Sequence, residues 1–75
     1  MTFPQYRKYP DNRAFFKILS DTEFEELSFI GTKQIIQKIV AKTYTERLYI
    51  SDMISNVDGI YHSILEAEYL SAKNR

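Results

Sequence analysis

The single histidine is the residue of this 75-residue chain whose side chain is best suited to acid–base chemistry. Near it in sequence lie two hydroxyls and two carboxylates that could supply a nucleophile and an orienting group: Ser55, Ser63, Asp58 and Glu66. Catalysis by such a group also needs a pocket that excludes water, and a chain of this length rarely encloses one. We therefore interpret His62 as an ordinary strand residue, and we predict no catalytic residues and no enzymatic activity.

Metal and cofactor sites are not predicted either. The chain contains no cysteine and one histidine, which excludes thiolate ligands and a site made of several histidines. Glu23, Glu25 and Glu26 lack the alternating loop spacing of calcium ligands and are typical of a solvated helix face. Gly31 and Gly59 form no glycine-rich loop that could hold a phosphate. We predict no metal, no cofactor and no small-molecule substrate.

The aromatic residues indicate a binding function more clearly. Six tyrosines and five phenylalanines are too many for the core of so small a domain, and tyrosine and arginine are enriched at binding hot spots. The alternative is that the tyrosine rings cover a sheet with their hydroxyls in water. We predict partner contacts at eight residues: Tyr6, Arg7, Lys8, Tyr9, Arg13, Tyr44, Tyr49 and Tyr61.

Composition favours one class of partner over the others. Ten basic and ten acidic residues cancel, so the chain lacks the strong field of a nucleic-acid or membrane-surface binder. No apolar run reaches the roughly 20 residues of a membrane span, and the N-terminus has no apolar segment typical of a secretory signal. Small domains without disulfides or metals are often stabilised by a partner subunit. We predict a cytoplasmic protein that forms a homodimer or binds another protein.

The elements that must position these residues begin with residues 1–13, an extended basic and aromatic arm that precedes a single domain over residues 14–75. Residues 13–19 are aromatic and branched and predict a strand. The Ser20-Asp21-Thr22-Glu23 segment matches a capping box and predicts a helix over residues 21–30, which Gly31 would end as a left-handed C-cap.

The second half of the chain is ambiguous between strand and helix. Isoleucine, valine, threonine and tyrosine favour strands over residues 33–43 and 47–56, and Asp58-Gly59 predicts a type I′ hairpin loop leading to a strand over residues 60–64. Residues 64–73 then predict a C-terminal helix. The predicted fold class is α+β, a strand and a helix followed by an antiparallel three-strand meander and a final helix. Both helices are expected to cover one sheet face through five apolar residues: Phe24, Leu27, Ile30, Leu65 and Tyr69. The alternative is an all-α bundle with a long helix over residues 32–55.

Several short segments, spread over most of the chain, carry a resemblance to other proteins: Tyr6-Arg7-Lys8-Tyr9, Phe15-Phe16-Lys17-Ile18, residues 20–26 (SDTEFEE), Ile30-Gly31, Ala41-Lys42, Asp52-Met53 and Glu68-Tyr69. They are similar to a group of short uncharacterised proteins of Bacteroides-type bacteria, with SDTEFEE as the most specific part. A Pro-Asp pair often stands in that group where this chain has Thr45-Glu46, which implies a turn and counts against the long helix. The group has no assigned activity, so the resemblance implies no functional residues.

These observations lead to one functional prediction and one alternative. We predict a small cytoplasmic protein–protein interaction module without catalytic activity. The alternative is a weak nucleic-acid binder that uses the arm over residues 1–13, because the YRKY segment could stack on bases and neutralise phosphates.

Overall fold

The computed structural model describes residues 2–56 and 59–74. In this part of the chain, five strands form one antiparallel sheet in the order β4-β3-β2-β1-β5. The elements, in chain order, are β1 (Gln5–Lys8), β2 (Ala14–Ile18), β3 (Glu23–Ile30), β4 (Lys33–Val40), α1 (Tyr44–Ser55), β5 (His62–Ser63) and α2 (Glu66–Lys73). The predicted α+β class is confirmed, and the all-α alternative is wrong because a sheet lies at the centre of the molecule.

The two helices lie on opposite faces of this sheet, and each covers its own core. Side chains alternate between the faces of a strand, so Phe16 and Phe15 of β2 point in opposite directions. Phe16 packs with Ile50 and Met53 of α1. Phe15 packs in the second core, which α2 completes through Tyr69. The expectation that both helices cover one face is therefore wrong.

The helix predicted over residues 21–30 is also wrong, because this segment is strand β3. Phe24 packs in the core under α1, and Leu27 packs in the core under α2. A strand with both faces buried has apolar residues at both odd and even positions. Phe24 and Leu27 are three residues apart for this reason, and the same spacing is typical of a helix. The Ser20 hydroxyl accepts from the Thr22 N–H at 3.1 Å, within the turn between β2 and β3, and caps no helix. Gly31, at φ 61°, lies in the turn between β3 and β4.

The strand predicted over residues 47–56 is helix α1. Its N-cap is Thr43, whose hydroxyl accepts from the Glu46 N–H at 3.2 Å, while the Glu46 carboxylate accepts from the Thr43 N–H at 3.1 Å. This capping box satisfies donors that the first turn leaves unpaired. At the other end, Asn56 adopts the left-handed conformation that often ends a helix.

The remaining elements agree with the sequence in part. Strands β2 and β4 lie within the ranges predicted for them, 13–19 and 33–43, and α2 occupies the range predicted for the C-terminal helix. Strand β5 is two residues long and pairs with β1, so the predicted hairpin between residues 47–56 and 60–64 is wrong. Asp58 of the predicted hairpin loop lies outside the described residues. In the described part of the chain, no helix is long and apolar enough to cross a membrane.

Candidate functional site

The basic and aromatic arm enters the fold at β1, between β2 and β5. Tyr6 is buried under α2, and its hydroxyl donates to the Glu66 carboxylate at 3.1 Å. Lys8, on the same face, forms an ion pair of 2.7 Å with Glu68. Both side chains therefore attach α2 to the sheet, and neither presents a free binding group to solvent.

Arg7 lies on the opposite face of β1 and is 9% exposed. Its Nε donates to the carbonyl of Met53 at 3.0 Å, and its Nη2 donates to the carbonyl of Ile54 at 3.3 Å. These carbonyls belong to the last turn of α1, where the helix dipole favours a positive charge. Arg7 is thus a cap for the C-terminus of α1.

The other arm residues meet tyrosines from distant parts of the chain. Tyr9 begins the turn between β1 and β2, and its N–H donates to the Ala14 carbonyl at 3.1 Å. Tyr49 is supplied by α1. Tyr61 is held by the Asn56 side chain, whose oxygen accepts from the Tyr61 N–H at 3.0 Å and whose amide nitrogen donates to the Tyr61 carbonyl. A turn, a helix and a clamped loop therefore fix the three rings.

The geometry of these rings is well defined. Tyr9 stacks on Tyr61 with ring centroids 5.4 Å apart and 26° between the planes. The hydroxyls of Tyr9 and Tyr49 share a hydrogen bond of 3.4 Å. Phe16 supports the cluster from the core in a T-shaped contact with Tyr9, at 5.3 Å between ring centroids, and Phe24 stacks on Tyr49 at 5.5 Å. The rings are thereby held before any partner arrives.

Burial favours the neutral form of the Tyr49 and Tyr61 hydroxyls by raising the pKa of each. Burial raises the pKa of Tyr49 far above its ordinary value, and the hydrogen bond with Tyr9 raises it further. Burial also raises the pKa of Tyr61, with a smaller contribution from the neighbouring Tyr9. Hydroxyls that stay protonated at neutral pH can donate and accept hydrogen bonds but cannot serve as tyrosinate nucleophiles or bases. The cluster is suited to binding.

Exposed side chains of the loop before β2 and of helix α1 are grouped with this cluster. The guanidinium of Arg13 lies 4.5 Å above the Tyr9 ring, within the range of a cation–π contact. On α1, Tyr44 is 76% exposed and Leu48, one turn later, is 44% exposed. We call this set the tyrosine surface: Tyr9, Arg13, Tyr44, Leu48, Tyr49 and Tyr61.

A groove runs beside the tyrosine surface, between α1 and the sheet. Its volume is about 240 Å³, and its lining includes Phe24, Ile39 and Tyr49. Glu26 and Glu46 add carboxylates at the same groove. The Glu46 carboxylate is occupied in the helix cap, whereas Glu26 forms no ion pair within the described residues. The groove offers an apolar recess with an acidic edge next to the tyrosines.

The residues first considered for chemistry do not form such a site. His62 is exposed on β5 and pairs with Lys8 of β1, while the Ser63 hydroxyl accepts from the Arg7 guanidinium at 3.3 Å. Within residues 2–56 and 59–74, no three histidine, cysteine, aspartate or glutamate side chains come together where they could hold a metal ion.

Comparisons with protein-family models, curated proteins and solved structures found no match. The structure brings together Tyr9, Arg13, Tyr49 and Tyr61, leaves Tyr44 exposed on α1, and places Tyr6, Arg7 and Lys8 inside the fold. Sequence analysis missed Leu48. The available signal was the Thr43-x-x-Glu46 box, which starts a helix and puts Leu48 one turn after Tyr44.

Proposed function

We propose that this chain is a small cytoplasmic protein–protein interaction module without catalytic activity, and that it binds another protein through the tyrosine surface. The observation that carries the proposal is the fixed arrangement of Tyr9, Tyr49 and Tyr61, together with the exposed Tyr44 and Leu48 on the helix that carries Tyr49. Rigid aromatic side chains lose little conformational entropy on binding and supply large contact areas. Their hydroxyls can satisfy polar groups of a partner while the rings exclude water.

Self-association is part of this proposal. A domain of 75 residues without cysteine has a small core and no disulfide to stabilise it. The formal net charge is zero, so two copies do not repel one another at long range. We expect a homodimer that leaves the tyrosine surface free for a different protein.

Nucleic-acid binding is not favoured by the described geometry. The arm residues that would neutralise phosphates have other contacts: Arg7 caps α1, Lys8 is paired with Glu68, and Arg13 lies against Tyr9 and 3.7 Å from Asp11. Few free cations remain on the arm to release counterions from a nucleic acid.

The experiment is quantitative affinity capture from the source cells with two matched double variants. Tyr44→Ser with Leu48→Ser removes two apolar side chains, 76% and 44% exposed, from the tyrosine surface. Leu65→Ser with Leu70→Ser removes side chains that are 77% and 44% exposed from the opposite side of the sheet. Because the exposures match, the two variants lose similar apolar surface and differ in its location.

We expect the wild-type chain and the Leu65→Ser, Leu70→Ser control to retain one or a few proteins at comparable molar ratio. The Tyr44→Ser, Leu48→Ser variant should lose them, since truncation of a hot-spot side chain weakens binding by about 1–4 kcal/mol. Equal retention by both variants, or no retained protein at any salt concentration, contradicts the proposal.

A further inference from the structure

Strand β4 forms an edge of the sheet that no other strand of residues 2–56 and 59–74 covers. It is last in the strand order and pairs with β3 along its whole length, from Lys33 with Ile30 to Val40 with Glu23. The register is unbroken, so no bulge twists the edge away, and the strand contains no proline. Long regular edges of this kind are templates for pairing with another strand.

The backbone groups available at this edge follow from the turn that precedes it. Ile30 and Lys33 flank the two-residue turn between β3 and β4, and such flanking residues exchange both hydrogen bonds. Beyond the strand, the Ala41 N–H donates to the Thr22 carbonyl at 2.6 Å and continues the same alternation. The odd-numbered residues of β4 therefore bond to β3. The N–H and C=O groups of the even-numbered residues point away from the sheet: Gln34, Ile36, Lys38 and Val40.

The side chains at this edge are suited to a second strand. Ile36 and Val40 are each 45% exposed, on the sheet face that α2 covers farther along. Lys38 pairs with Glu23 at 3.5 Å, so its charge is partly compensated within the chain. A neighbouring strand would bury apolar surface of Ile36 and would not leave a new charge without a partner.

We propose that β4 pairs with β4 of a second copy of this chain, antiparallel, about a two-fold axis at Ile36. Ile36 then contacts Ile36 of the second copy, and Lys38 lies opposite Gln34 of that copy. Two five-stranded sheets become one continuous sheet, and the open edge is removed from both copies. The inference rests on the proposed self-association and assigns its interface.

Charge disfavours the registers whose axis lies nearer the C-terminal end of β4. Residues directly opposite each other in an antiparallel pair share a face, so the axis must pass through a residue of β4. An axis at Lys38 places the two copies of that lysine opposite each other, which is destabilising. An axis at Gln37 places each Ile36 opposite a Lys38 ammonium. The axis at Ile36 joins two isoleucines and keeps the Lys38 side chains about 13 Å apart along the strands.

Because the chain has no cysteine, single cysteine variants report this geometry directly. In Ile36→Cys, the two introduced thiols face each other with Cα atoms about 5.5 Å apart, which is within the range of a disulfide. Val40→Cys is the matched control. Val40 is on the same strand and face and has the same 45% exposure, but its counterpart would lie about 26 Å away along the strands.

We expect Ile36→Cys to form a covalent dimer under mild oxidation and Val40→Cys to stay largely monomeric on a non-reducing gel. Light scattering of the cysteine-free chain at about 100 μM should give twice the mass of the 8.9 kDa chain. Ile36→Lys should halve that mass, because it sets two ammonium groups against each other on the axis. Circular dichroism of Ile36→Lys is the control that distinguishes loss of the dimer from unfolding.

The inference is overturned by a cysteine-free chain that stays monomeric, by equal cross-linking of Ile36→Cys and Val40→Cys, or by a dimer that persists in Ile36→Lys. A dimer that instead dissociates in Tyr44→Ser, Leu48→Ser would move the interface to the tyrosine surface. That last result contradicts strand pairing but retains self-association, so the two proposals fail separately.

Discussion

Replacement of Arg7 by methionine tests whether this residue stabilises the fold or serves a partner. The guanidinium donates to five oxygens, none of them a carboxylate: Met53 O at 3.0 Å, Ile54 O at 3.3 Å, Tyr6 O at 2.9 Å, Ser63 Oγ at 3.3 Å and Gln5 Oε1 at 2.8 Å. Burial lowers the pKa of Arg7, but a guanidinium remains charged at neutral pH. Methionine keeps most of the aliphatic volume and removes the donors.

The expected loss of stability follows from those bonds. A hydrogen bond to a charged group contributes about 1.5–3 kcal/mol, and a cation at a helix C-terminus adds about 0.3–2 kcal/mol. Desolvation of the buried charge opposes both contributions. We expect a net loss of about 2–4 kcal/mol from Arg7→Met, against a total free energy of unfolding of about 4–11 kcal/mol for a domain of this size. At about 4–8 °C per kcal/mol, the melting temperature should fall by at least about 8 °C.

The assay is thermal unfolding followed by circular dichroism, with Arg7→Lys as the control. Lysine keeps the positive charge but lacks the planar guanidinium that reaches several acceptors at once. Arg7→Lys should therefore recover only part of the stability that Arg7→Met loses. An Arg7→Met variant that melts within about 3 °C of the wild type would refute this expected loss of stability. Full recovery in Arg7→Lys would show that charge alone stabilises the end of α1.

Two further predictions concern charge. The hydrogen bond from the Tyr69 hydroxyl, at 2.6 Å, and then the contacts with Lys73 hold the pKa of Glu25 below its ordinary value. The stability that Glu25 contributes is therefore complete above its unfolded pKa of about 4.3 and is lost as the pH falls through the lower folded value. Thermal melts of Glu25→Gln should vary less than those of the wild type below about pH 4.3, and parallel profiles would contradict this assignment. Fluorescence polarisation with mixed oligonucleotides should show no salt-sensitive binding, whereas binding that weakens in Arg13→Ala would restore the nucleic-acid alternative.

The sequence predicted the fold class, the ranges that contain β2, β4 and β5, and the C-terminal helix α2, and the errors have physical origins. Local patterns assume that one face of each element is buried, but this sheet is covered on both faces near β2 and β3. Phe24 and Leu27 pack in the cores under different helices, so their three-residue spacing results from two cores on opposite faces of the sheet. The error at α1 came from composition, since isoleucine and tyrosine favour strands, while the capping box at Thr43 and Glu46 determined the local structure.

The tyrosine surface was predictable in its residue types but not in its membership. Nothing local distinguishes Tyr6 from Tyr9, yet one is buried under α2 and the other stacks on Tyr61. The alternation of side chains along a strand places Tyr6 and Tyr9 on opposite faces of the sheet, but only once β1 is known to be one of its strands. The sequence predicts partner binding at Arg7 because tyrosine and arginine are enriched at binding hot spots. Its burial depends on the end of α1, which is more than forty residues away in sequence.

The most direct test of the proposed function is the dissociation constant of the captured partner, measured by isothermal titration calorimetry for the two matched double variants. We expect Tyr44→Ser with Leu48→Ser to weaken binding by at least about tenfold, which is about 1.4 kcal/mol, and Leu65→Ser with Leu70→Ser to leave it unchanged. Equal dissociation constants for both variants, each with the melting temperature of a folded protein, would contradict the assignment of the tyrosine surface as the binding site.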